Sequence, residues 1–284
     1  MPQATLFVGF ECLISVRPPA MAFASRLQLK LRRMSATRFH RKPAAQRSPA
    51  PLVSFAFDDF PRSAYTVAGK ILAEHGVHAT YYVSSGLARK ETIMGEMFHR
   101  EDLTALVAAG HEVACHTFDH VRCCDVESEE LLKQCERNCQ SLAETIGKYE
   151  PRNFSYPEGV VNPSAKRLLL SVYDTCRTTE HGINHGVVDL GFLRANPVYS
   201  TCRIEDLKSL IAANVQQKGW LILYTHDVNE HPSRYGCTPD YFREAVSAVL
   251  ESGAEVLTVA GARERFLPAR DPKRISSNYS YVRV

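Results

Sequence analysis

The sequence predicts an α/β fold, a closed or nearly closed (β/α) barrel of about seven parallel strands. Three observations lead there. From Pro51 onward short β-favouring runs alternate with longer stretches of helical period, several of the short runs are almost wholly apolar, and they stop on titratable side chains. Such alternation implies parallel strands joined by crossover helices, and seven or eight units favour a barrel over an open sheet. A run without polar alternation belongs to a strand buried on both faces.

The elements follow in order. The run Leu52-Val53-Ser54-Phe55-Ala56-Phe57 reads as a buried strand that ends on Asp58 and Asp59, before Pro61. A helix from Ser63 to His75 stops at Gly76, and a strand from Val77 to Val83 has Ala79-Thr80-Tyr81-Tyr82 at its heart. Glu101 to Ala109 forms a helix on Leu103, Leu106 and Val107; Gly110 ends it and a strand, His111 to Cys115, follows. The long amphipathic helix Ser128 to Ile146 takes Ser128 as N-cap and Gly147 as stop. Strand, helix and strand recur through Asn153 to Tyr156, Pro163 to Ser171 and Val172 to Arg177. After an irregular segment to Ser200 come helix Ile204 to Gln217, strand Trp220 to Thr225, helix Asp240 to Glu251 and strand Glu255 to Val259.

The 284 residues suffice for one large domain, and 45% hydrophobic with 23% charged residues is an ordinary globular composition. The net charge of +3 is unevenly split. Residues 1–50 hold nine Lys or Arg against the single acid Glu11, a surplus of eight, so residues 51–284 carry 3 − 8 = −5. The body is mildly acidic, so the overall positive charge says nothing about nucleic acid, and none is expected as a partner. Residues 1–50 read as a disordered basic extension and residues 51–284 as the catalytic domain. In the extension Arg17 follows the apolar piece Ala4 to Val16 rather than preceding it, although Ala20-Met21-Ala22 has the look of a cleavage site. No apolar stretch reaches membrane-spanning length. The nine cysteines form no Cys-x-x-Cys framework, several sit in apolar runs, and a reducing, cytoplasmic setting is expected over secretion.

The chemistry gathers at strand ends. Two adjacent carboxylates, Asp58 and Asp59, repel unless a cation or a shared proton relieves them. The strand His111 to Cys115 delivers His116 and, four residues on, His120; a carboxylate with two imidazoles is a three-ligand set that leaves positions open on zinc or a similar ion. Trp220 to Thr225 ends on His226-Asp227. Convergence on the carboxyl ends of successive strands marks an active site rather than surface charge.

These residues also resemble the ordered motifs of the polysaccharide deacetylases, the carbohydrate esterases with a NodB homology domain. The resemblance runs from about Pro51 to Phe266, through Phe57-Asp58-Asp59, Gly110-His111-Glu112, His116-Thr117-x-x-His120, Phe154-Ser155-Tyr156-Pro157-Glu158-Gly159 and Tyr224-Thr225-His226-Asp227. It implies a distorted (β/α) barrel with one divalent metal, zinc the expected ion, on Asp59, His116 and His120. It implies Asp58 as general base, and the turn Tyr156, Pro157, Glu158 and Gly159 at the substrate, with the Glu158 backbone N–H toward the oxyanion. His226 would be the general acid, with Asp227 beside it to orient or charge-stabilise the imidazole. The substrate would be an acetylated carbohydrate, the acetyl group amide-linked or ester-linked.

Ser155 stands where the family carries an arginine that orients the base, and Glu158 where an aromatic often lines the pocket. Arg194, near the end of the apolar piece Phe192-Leu193, is the candidate replacement partner for Asp58. Glu158 would disfavour anionic substrates. A non-catalytic carbohydrate-binding descendant and an amidase acting on non-sugar amides are the alternatives; a two-His, one-carboxylate iron oxygenase is disfavoured by the alternating periods. His75, His78 and His99 lie away from strand ends and read as surface or capping groups, His181 and His185 as loop residues, and Trp220 as core. The stretch His231 to Pro239 should border the site.

Overall fold

The computed structural model describes residues 35–267. Strand β1, Leu52–Asp59, is buried from end to end, as a run with no polar face must be. The other barrel strands are β2, Thr80–Val83, β3, Glu112–Cys115, β4, Asn153–Ser155, β5, Thr175–Arg177, β6, Asn196–Pro197, and β7, Trp220–Thr225. Their order is β6-β7-β1-β2-β3-β4-β5 with every pairing parallel, and β8, Glu255–Val256, lies parallel to the start of β1. This is the expected architecture. Between β5 and β6 the ring is joined by irregular chain: Leu193 donates to Cys176 O (3.0 Å) and accepts from Thr178 N (2.9 Å), three residues before Asn196 pairs with Leu223. That seam is the distortion of the barrel.

The helices are α1, Lys70–Ala73, which continues a π-helical turn Ala64–Gly69; α2, Arg100–Ala108; α3, Ser128–Ile146; α4, Pro163–Val172; α5, Ile204–Gln217; and α6, Pro239–Glu251. Gly147 stops α3 at φ 81°, as expected of a residue tolerant of left-handed backbone. The N-cap of α3 is Glu127 rather than Ser128, and no side chain caps it. A seventh helix, α7, Val259–Phe266, replaces the end of the strand expected from Glu255 to Val259: Thr258 accepts from Gly261 N and starts a helix where the apolar run suggested more strand.

That helix closes the amino end of the barrel. Thr80, Glu112, Asn153 and Thr175 are the first residues of β2 to β5, and all four are buried. Glu112 accepts from Thr80 Oγ1 (2.8 Å), Asn153 Nδ2 (2.5 Å) and the α7 amide of Ala260 (2.9 Å), while Thr175 donates to Asn153 Oδ1 (2.6 Å). Burial drives the Glu112 carboxyl above its ordinary value against the pull of these donors. Trp220 is core, fully buried with its indole N–H on Ser54 Oγ (3.0 Å). No disulfide forms among the described residues, and Cys115, Cys123, Cys135 and Cys176 pack as small hydrophobes with Leu131 and Phe154.

Residues 1–34 of the basic extension lie outside the described residues, but residues 35–50 are held on the body. Pro43–Ala45 pairs antiparallel with residues 187–189, and the fully buried Lys166 donates to Ala36 O (2.7 Å), Phe39 O (3.2 Å) and Asp189 Oδ2 (2.5 Å). A buried charge stripped of its partner destabilises strongly. Lys166→Met should therefore lower unfolding free energy by about 3 kcal/mol, read by urea denaturation at neutral pH.

Candidate metal centre and catalytic site

The carboxyl end of the barrel collects the side chains that the strand ends promised. Positive φ in residues other than glycine concentrates there, at Asp59 (62°), Phe60 (66°), Thr117 (63°), His120 (55°) and Glu158 (56°). Backbone in that region is held there by its surroundings. Helix α3 fixes two of the loops: Asn138 accepts from Ser85 N (2.8 Å) and donates to Val83 O (2.8 Å), and Gln134 clasps Asp119 (2.9 and 3.1 Å) just before His120.

Asp59, His116 and His120 come together. Their ligand atoms all lie within 4.8 Å of one another, with Asp59 Oδ1 at 3.4 Å from His116 Nε2 and 3.1 Å from His120 Nε2. His116 Nδ1 donates to Ser155 O at 2.7 Å, so in the neutral ring Nε2 is the bare nitrogen. Burial, outweighing the attraction of Asp58 and Asp59, pushes the His116 pKa down to about 4, and the ring is neutral at pH 7. A bare nitrogen and a carboxylate oxygen thus face each other, and Asp59 Oδ1 is buried with no hydrogen-bond donor. A cation between them relieves both. Nitrogen and oxygen donors of this kind suit zinc or a neighbouring transition ion.

Asp58 is paired with an arginine, and it is Arg177 rather than Arg194. The Arg177 guanidinium bonds Asp58 Oδ1 and Ser155 Oγ, and the Asp58 and Arg177 side chains are 6% and 0% exposed. Burial raises the Asp58 carboxyl, but Arg177, His116 and His226 together outweigh it and hold the group below its ordinary value. Arg194 is exposed and donates to His181 O at 2.7 Å. The correction has a simple geometry: Arg177 is the last residue of β5 and the register partner of Ser155 on β4. The guanidinium that Ser155 lacks is supplied from the next strand. The sequence signal was the one used for the other residues, a charged group at the end of a strand.

His226 leaves β7 with Nδ1 on Tyr235 O at 3.1 Å. Asp227 turns away from the imidazole. It accepts from Ser233 N (2.7 Å), Ser233 Oγ (2.6 Å) and Asn229 Nδ2 (3.2 Å), and so ties the 227–237 loop that borders the site. Tyr156 points into the core, its hydroxyl on Gly191 O (3.0 Å), and Pro157 is buried beneath the turn. Gly159, at φ 67°, has no room for a side chain, since a Cβ would sit 2.1 Å from Thr179 Oγ1. Glu158 is exposed and 3.3 Å from Arg122 Nε, so its charge is balanced rather than turned on the substrate.

The comparisons agree with this geometry. Residues 45–172 match the family model for polysaccharide deacetylase. Among solved structures the chain is similar to the chitin deacetylase of the fungal pathogen Colletotrichum lindemuthianum, at 17% identity over 79% of this chain and 95% of that one, TM-score 0.56. It is similar to a family 4 acetyl xylan esterase from Clostridium thermocellum solved with a cobalt ion, at 20% identity over 74% and 89%, TM-score 0.52. It is also similar to a CE4 family pseudoenzyme from Bacillus anthracis, at 14% identity over 78% and 68%, TM-score 0.53. No curated protein matches the sequence.

Removing one of three ligands leaves two that compete poorly with water. Purified wild type should take up zinc or cobalt, and His116→Ala should weaken that binding by at least ~100-fold in a calorimetric or equilibrium-dialysis titration. Equal uptake by the two proteins would put the ion elsewhere.

Proposed function

We propose that this chain, whose residues 45–172 match the polysaccharide deacetylase family, is a metal-dependent hydrolase that removes acetyl groups from a carbohydrate, amide-linked or ester-linked. The observation that carries this reading is the pairing of an ionised, arginine-held Asp58 with the adjoining Asp59, His116 and His120 donor set.

A divalent ion, zinc by the nature of its donors, would be held by Asp59, His116 and His120 and would supply Lewis acidity toward water and the substrate carbonyl. The chain's own residues do the rest. Asp58, kept charged and aimed by Arg177, takes the proton from the attacking water. The Glu158 amide, in the tight turn Pro157–Gly159, is the backbone donor for the oxyanion. His226, its Nδ1–H anchored on the Tyr235 carbonyl, carries on Nε2 the proton that the departing amine or alcohol needs.

The non-catalytic alternative draws on Ser155 at the family's arginine position and on the resemblance to a pseudoenzyme. The Arg177–Asp58 pair weakens it, because the charge partner of the base is present. An amidase acting on non-sugar amides would keep the same residues and release no acetate.

Acetate release from N-acetylated oligosaccharides by the zinc- or cobalt-loaded protein is the direct test. Asp58→Asn should retain the metal and lower turnover by ~10²–10⁴-fold, the usual worth of a general base. A variant with near wild-type turnover would remove Asp58 from that role.

The pH profile gives a second check, with a definite sign. Asp58 sits below its ordinary pKa of 3.8, so the acid limb of kcat/KM that it governs should lie below that pH in wild type. Arg177→Met leaves the burial and removes the cation, so the limb should move up by about 1–3 pH units. A limb that stays put would show that Arg177 does not set the charge of the base.

A further inference from the structure

Arg177 reaches Asp58 across the barrel interior, and hydrogen bonds account for only part of its hold. Its terminal nitrogens bond Asp58 Oδ1, Ser155 Oγ (2.5 Å) and Thr178 O (3.1 Å), while its Nε is buried without a partner. Two aromatic rings flank the guanidinium: its Cζ stands 4.7 Å from the ring centroid of Tyr82 and 4.9 Å from that of Tyr224.

The strand register explains how they come to be there. Tyr82 on β2 is the register partner of Asp58, and Tyr224 on β7 is the partner of Ala56. Ala56 and Asp58 are two residues apart on β1 and share a face, so both rings stand beside the base on the interior side. Ala56 contributes only a methyl, which leaves the space between the rings to Arg177. The Tyr82 hydroxyl is buried with no hydrogen-bond partner of good geometry, and its ring face stands over the guanidinium. A cation over a desolvated ring face is attracted by the ring quadrupole, and here water is excluded.

We infer that Tyr82 and Tyr224 are positioning residues for the base: their rings hold the Arg177 guanidinium against Asp58. Besides Asp58 itself, the guanidinium bonds Ser155 Oγ and Thr178 O, and the rings flank what remains of it. The kinetic consequence rests on the deacetylase reading; the physical contact does not.

The test uses the full chain loaded with zinc or cobalt. Tyr224→Leu and Tyr82→Leu should each lower kcat for acetate release by at least ~10-fold, with KM and metal affinity unchanged. Tyr224→Phe and Tyr82→Phe keep the ring and should stay near wild type. Leucine variants as active as wild type, or phenylalanine variants as impaired as leucine ones, would overturn the inference. Should the leucine variants fail to fold, phenylalanines carrying one to three fluorines at position 224 keep the shape and weaken the quadrupole. Turnover should then fall with each fluorine, and a flat series would count against the rings. An arm independent of activity compares Arg177→Met, Tyr224→Phe with three fluorines, and the double variant in thermal unfolding. Losses smaller in combination than the sum of the singles support the contact, and additive losses refute it. A wild type that releases no acetate from any acetylated sugar would count against the deacetylase reading alone, since this arm still decides the contact.

Discussion

Two opposite charges buried side by side, Asp58 and Arg177, set the terms for everything at the carboxyl end of the barrel. A carboxylate withdrawn this far from water is costly unless a cation meets it. Without Arg177, burial would push the Asp58 carboxyl upward with its largest opposing influence gone. With Arg177 committed to Asp58, Asp59 faces two imidazoles and no donor of its own. One acid is thereby paired with an arginine and the other left facing two imidazoles, although the two are adjacent in sequence and leave the same strand.

The first residues of β2 to β5 and the side chains at their carboxyl ends differ in how their polar groups are paired. At the amino end Thr80, Glu112, Asn153 and Thr175 satisfy one another and the first turn of α7. At the carboxyl end Asp59 Oδ1, Tyr82 Oη and Arg177 Nε are buried without partners. Folded proteins rarely leave such atoms orphaned, and where they do the reason is usually a ligand or a strained site.

Much of this was legible in the sequence because barrel chemistry obeys a positional rule. Strand ends carry the reacting groups, so Asp58, Asp59, His116, His120 and His226 stood out, and the structure brings Asp59, His116 and His120 together. The order of strands and helices was legible for a related reason, since burial on both faces leaves long apolar runs and glycines mark the stops. What escaped depended on contacts between distant segments. The helix Val259–Phe266 had one local signal, Thr258 as its N-cap, outweighed by the apolar run before it, and its second hold, on Glu112, lies far upstream. The hold of Lys166 on residues 36 and 39 spans more than 120 positions and has no pattern at all.

Arg194 and Arg177 show how a correct rule can pick the wrong residue. The missing charge partner was sought on an apolar segment, on the principle that an arginine among hydrophobic residues needs a carboxylate. Arg194 instead lies at the rim, where its charge stays in water and its guanidinium donates to a loop carbonyl. Arg177 was the better candidate on the very rule that found the rest, for it ends a buried strand. Register completes the argument. Positions 155 and 177 are side by side in the sheet, so an arginine on either strand can reach Asp58 while a linear motif tracks only one of them. A serine at position 155 therefore does not leave Asp58 without a guanidinium, because Arg177 supplies one from the neighbouring strand.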